Sequence, residues 1–92
     1  MWEPKNTNDR IRGRLLYYHW KKNKYGDYRV VAIQTGRFWK RTEIVPLYHK
    51  TLNQEFTNKN PIIGSVVEIV YLGKTVTKDL ERYYYRYQLH IV

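Results

Sequence analysis

Almost every part of this chain that could hold regular structure repeats with period two, and a single segment breaks the rhythm. Residues 11–20 (IRGRLLYYHW), 28–34 (YRVVAIQ), 37–48 (RFWKRTEIVPLY), 64–74 (GSVVEIVYLGK) and 83–92 (YYYRYQLHIV) are rich in β-branched and aromatic residues, the composition of pleated, half-buried strands. Residues 49–61 (HKTLNQEFTNKNP) lack alternation. There Leu52 and Phe56 stand four apart, as on one face of a short helix, and Asn58 and Pro61 supply its stop.

Turn chemistry separates the strands. Residues 21–27 (KKNKYGD) are polar and carry Gly26, which reads as a hairpin loop; Thr35-Gly36 reads as a tight turn. Pro46 must end the third strand or place it at an edge. Residues 66–72 are apolar on both faces apart from Glu68, which suggests a central strand. In the last strand Tyr83, Tyr85, Tyr87, Leu89 and Ile91 share the face expected to be core, opposite Tyr84, Arg86, Gln88 and His90.

The predicted order is therefore three strands, a short helix and two strands. An all-β chain in that order matches the five-stranded oligonucleotide/oligosaccharide-binding (OB) Greek-key barrel with a helix between strands 3 and 4. Barrel closure also suits a small chain without cysteine, because it removes exposed edges. An SH3-like barrel is the rival and normally lacks a dozen-residue helical insert at that point. One domain is expected over residues 10–92, preceded by a flexible N-terminal tail over residues 1–9.

Composition narrows the function. Seventeen lysines and arginines against eight acids leave a net charge of +9, and 16% of residues are aromatic, including ten tyrosines. That balance favours polyanionic partners. No cysteine is present, and His19, His49 and His90 have no ligand-like spacing, so neither a disulfide nor a metal site is expected. No serine sits in a nucleophile turn, and Glu43, Glu55, Glu68 and Asp79 show no pairing; the chain reads as non-catalytic and without a cofactor. No apolar run reaches the roughly 20 residues of a membrane span, and no secretory signal is evident. The expected setting is soluble and cytoplasmic.

Residues 63–74 (IGSVVEIVYLGK), the polar loop TVTKDLER and the final YYYRYQLHIV resemble short single-stranded-DNA-binding proteins of bacteriophages and mobile elements. In that family a strand of similar form leads through a variable loop into a last strand of tyrosine followed by aliphatics. The resemblance implies an OB barrel that coats single strands during DNA replication or recombination in a host-cell cytoplasm, in company with replication or recombination proteins.

A sequence-tolerant single-strand binder needs cations for phosphates and flat rings for unstacked bases. RFWKR (37–41) carries both. Strand alternation would place Trp39 outward with Arg37 and Arg41, and Phe38 inward with Lys40. Around it, the first hairpin contributes Trp20, Lys21, Lys22, Lys24 and Tyr25, and the second strand Arg29. The fourth-to-fifth-strand region adds Lys74, Lys78, Arg82, Tyr84 and Arg86. In an OB barrel these three segments would converge on one binding face. RNA is the alternative single strand, and a small basic module that binds or inhibits an acidic protein surface is the alternative class. An exposed last-strand edge could also pair copies into a homo-oligomer.

Overall fold

Five strands and one helix succeed one another in the order the alternation predicts. They are β1 (Arg10–Asn23), β2 (Gly26–Thr35), β3 (Arg41–Pro46), α1 (Lys50–Lys59), β4 (Val66–Val76) and β5 (Tyr83–Ile91). The computed structural model describes residues 1–77 and 82–92. The strands form one antiparallel sheet in the order β3-β2-β1-β4-β5.

The long β1 organises this sheet by changing partners. Its first part pairs with β4, from Arg10 opposite Val70 to Arg14 opposite Val66. Its remainder pairs with β2, from Arg14 opposite Gln34 to Asn23 opposite Gly26. At the changeover the backbones crowd: a Cβ on Gly13 would lie 2.2 Å from the Gln34 carbonyl oxygen, so only glycine fits. A bulge between Leu15 and Tyr17 follows at once and adds bend and twist.

The concave side of the curved sheet holds the core. Leu15, Ile33, Val45, Val67, Ile69 and Leu89 are buried there, and α1 lays Leu52 and Phe56 over them. The four-residue spacing of that pair is the one read from the sequence. Asn60 ends α1 in the left-handed conformation (φ 43°), its N–H donating to the Phe56 carbonyl, with Pro61 directly behind.

The sheet stays open. Among the described residues no ladder joins β3 to β5, so the closed barrel expected from the sequence is not formed by strand pairing. Side chains of α1 occupy the β5 edge instead. Thr51 Oγ1 donates to the Tyr85 carbonyl (2.6 Å), the Leu89 N–H donates to Glu55 Oε1 (2.9 Å), and Lys59 Nζ donates to the Leu89 carbonyl. Thr51, Glu55 and Lys59 are four apart, so one helix face acts as the missing neighbour of β5 and satisfies its edge groups.

The N-terminal segment lies in the same seam. Residues 1–9, expected as a loose tail, are tied down: the Trp2 N–H donates to the Ile44 carbonyl of β3 (3.0 Å), and the Trp2 ring meets Tyr87 of β5 edge-on at 6.3 Å. Asn8 N–H reaches the Tyr71 carbonyl, and Tyr71 N–H reaches Asp9. The Asp9 carboxylate accepts the N–H groups of Asn6 and Lys5, which hold its pKa below the usual value. Polar composition suggested disorder here; one aromatic anchor and backbone pairing outweigh it.

Three further expectations are corrected. The first hairpin has a tight turn at Lys24-Tyr25, and β1 and β2 run on through Lys21, Lys22 and Asp27. This two-stranded ribbon needs no apolar face where it leaves the core, so its strands carry no alternation signal. The third strand begins at Arg41, because Arg37–Trp39 form a 3₁₀ turn. On β5 only Tyr87 and Leu89 of the expected core face are buried; Tyr83 and Ile91 are exposed, since the strand extends past the core at both ends.

Candidate nucleic-acid interface

The turn at residues 36–40 groups three residues with positive φ. Gly36 has φ 81°, and Phe38 and Trp39 both adopt left-handed values, 59° and 57°. A left-handed bulky residue costs about 1–2 kcal/mol, and two in succession persist only where something else holds them. The conformation turns both rings out of the sheet: Phe38 is 76% exposed and Trp39 39% exposed. Strand alternation therefore fails here, and Phe38 points outward, not inward as the sequence reading had it.

Cations frame both rings. The Arg37 guanidinium and Lys40 ammonium lie 5.5 and 5.9 Å from the Phe38 centroid, and the Arg14 guanidinium lies 5.7 Å from that of Trp39. Arg41 is exposed at the start of β3. Arg14 belongs to a row on β1 that was not among the expected site residues. Arg10, Arg12 and Arg14 alternate on β1 with buried Ile11 and Gly13, so all three project from the outer face, about 6.8 Å apart. The string RIRGR already carried that signal.

A second cluster forms along β4 and β5. Lys74 Nζ sits 4.1 Å from the Tyr83 centroid and 5.6 Å from that of Tyr85. Arg82 is exposed just before β5, Tyr84 and Arg86 are exposed on the opposite face of the strand from Tyr83 and Tyr85, and Lys78 lies outside the described residues. By register, β4 continues past its Arg10–Val70 pair toward this cluster. Lys74 stands eight residues along β4 from Val66, the partner of Arg14, so the cluster lies about 27 Å along the sheet from the 36–40 turn, with the arginine row leading from that turn toward it.

The third segment falls at the other end. Nine residues of β2, about 30 Å, separate Gly26 at the first hairpin from Thr35 beside the 36–40 turn. The expected convergence of all three on one spot is corrected accordingly: they are spread along the sheet. At the hairpin Lys21, Lys22 and Lys24 are exposed, as are Trp20 (65%) and Tyr25 (84%), with Lys24 Nζ 5.1 Å from the Tyr25 ring.

Between this hairpin and α1 lies a cleft of about 800 Å³. Trp20, Tyr25, Tyr28, Tyr48, Lys50 and Asn53 line it together with Arg29. Arg29, half-buried, is fixed by bonds from Nη2 to Asn53 Oδ1 (3.0 Å) and Thr57 Oγ1 (2.9 Å), and its guanidinium covers Tyr18 at 5.6 Å. Burial raises the Tyr18 pKa, with Arg29 acting against it. Tyr48, Lys50 and Asn53 carry no sequence signal for this cleft, because only the tertiary fold brings the start of α1 up to the hairpin.

Among the described residues positive charge is poorly compensated: the ion pairs are the Met1 amino group with Glu43, Arg10 with Glu68 and Lys59 with Glu55. Among those residues there is also no group of acidic, histidine or cysteine side chains that could hold a metal, and no helix long and apolar enough to cross a membrane. The chain matches none of the known protein families, curated proteins or solved structures with which it was compared.

Proposed function

We propose that this protein binds single-stranded DNA without catalysis and with little dependence on sequence. The observation that carries the reading is the 36–40 turn, where two strained residues display Phe38 and Trp39 to solvent among Arg37, Lys40, Arg41 and Arg14. Backbone strain concentrates where function needs it, and exposed rings with adjacent guanidinium groups suit unpaired bases and their phosphates. Duplex DNA hides its base faces and would use only the charge.

The strand order supports the same reading. The order β3-β2-β1-β4-β5 is that of an OB barrel cut open between strands 3 and 5, with α1 and the N-terminal segment lying in the gap. We read the fold as an OB variant whose outer face carries the strand, in the service of DNA replication or recombination.

Fluorescence titration with oligo-dT tests this. Saturable quenching that is retained against excess duplex and weakened at least tenfold in Trp39→Ala supports the proposal. No response at low salt, or equal competition by duplex, refutes it.

A further inference from the structure

We infer that the cleft between the β1–β2 hairpin and α1 seats one unpaired nucleotide and favours a base bearing a keto oxygen, such as thymine, guanine or cytosine, over adenine. The inference rests on the single-strand reading above and adds a selective position to an otherwise tolerant surface.

Arg29 fixes the chemistry of the cleft wall. A guanidinium has donors and no acceptor, so its bond to Asn53 requires the amide oxygen of Asn53 to face it. The amide nitrogen must then face the other way. Asn53 therefore has a fixed orientation with two N–H donors, and no protein acceptor takes them up among the described residues. Thr57 Oγ1 accepts a second bond from the same guanidinium nitrogen, which makes that orientation stiff.

Asn53 lines a cleft whose size is that of a small-ligand site, and whose other walls suit a nucleotide. Trp20, Tyr25 and Tyr48 are exposed rings at its surface, available to stack on a base. Lys50 and Arg29 provide positive charge for a phosphate, and Asp27 is the sole carboxylate among the lining residues. A base stacked there meets donors at Asn53. Thymine, guanine and cytosine offer ring carbonyls to such donors, whereas adenine accepts only at ring nitrogens, and on its pairing edge N1 stands beside an amino group that repels a second donor. One such hydrogen bond corresponds to a preference of about three- to tenfold.

The test compares oligo-dT with oligo-dA of equal length, for the full chain and for Asn53→Asp. Aspartate keeps an acceptor for Arg29, preserving the packing, and replaces the free N–H donors with a second acceptor oxygen. The parent should bind oligo-dT about three- to tenfold more tightly, and Asn53→Asp should abolish or invert that ratio. Using the ratio cancels the general loss of affinity that the added negative charge brings. Trp20→Ala should weaken both oligonucleotides. An unchanged dT/dA ratio in Asn53→Asp, or a parent ratio near one, overturns the cleft assignment while leaving single-strand binding intact. Failure of the parent to bind either oligonucleotide overturns both readings.

Discussion

Replacing Glu55 with alanine removes the acceptor that α1 offers to the edge of β5. In the folded protein Glu55 Oε1 accepts the Leu89 N–H at 2.9 Å and pairs with Lys59 at 3.3 Å, and Leu89 itself has no exposed surface. A hydrogen bond to a charged group contributes about 1.5–3 kcal/mol, and an unpaired donor carries its full desolvation cost. The exposed i,i+4 pair adds about 0.3–0.5 kcal/mol. Glu55→Ala should therefore lose about 2 kcal/mol, which for a chain of this size lowers the midpoint by roughly 10 °C. Urea and thermal unfolding followed by circular dichroism read this directly. Gln54→Ala, at the neighbouring exposed position, should stay within about 0.5 kcal/mol. Glu55→Gln retains an acceptor and should lose about 1 kcal/mol. A Glu55→Ala variant as stable as the parent would show that β5 does not depend on the helix for its edge.

Other consequences follow from the same geometry. Gly13→Ala drives a Cβ into the Gln34 backbone at the point where β1 changes partners, and should cost about 2–3 kcal/mol in the same unfolding assays. Phe38→Gly should act oppositely on two readouts: relief of a left-handed aromatic raises stability by about 1 kcal/mol, while loss of a stacked ring lowers single-strand affinity about tenfold. His49 packs against Tyr48, Tyr85 and Tyr87, and burial depresses its pKa below the usual 6.5. The unfolded chain then binds the proton more readily, so stability should fall as the pH drops below about 6.5 and level off beneath the folded-state value. Melting curves at pH 7.5 and 5 measure the fall, and His49→Gln should reduce it.

Much of the fold was legible because the core obeys local rules. Leu52 and Phe56 announced α1 by spacing, Tyr87 and Leu89 announced the buried face of β5 by alternation, and the two-sided apolar run around Val67 and Ile69 announced an interior strand. What escaped lies where the chain leaves the core. Lys21 and Lys22 extend a ribbon that buries little, so their strand conformation has no hydrophobic signature. Phe38 and Trp39 occupy left-handed backbone that no alternation rule covers. Trp2 sat in a polar context that suggested a loose tail, yet one ring beside Tyr87 and one bond to Ile44 anchor the segment. The site was legible as a list of cations and rings more than as an arrangement. Arg10, Arg12 and Arg14 were visible as an alternating row, whereas the approach of Asn53 and Tyr48 to Trp20 depends on tertiary packing alone.

The salt dependence of oligo-dT binding tests the central claim most directly, because it measures phosphate contacts without assuming which rings stack. Each neutralised phosphate of a single strand contributes a slope of about −0.7 to log affinity against log salt. Contacts from the arginine row and the 36–40 turn together predict a slope steeper than about −2, reduced in Arg12→Ala, Arg14→Ala and Arg37→Ala variants. A slope near zero, or one unchanged by those three substitutions, would contradict single-strand binding on this face.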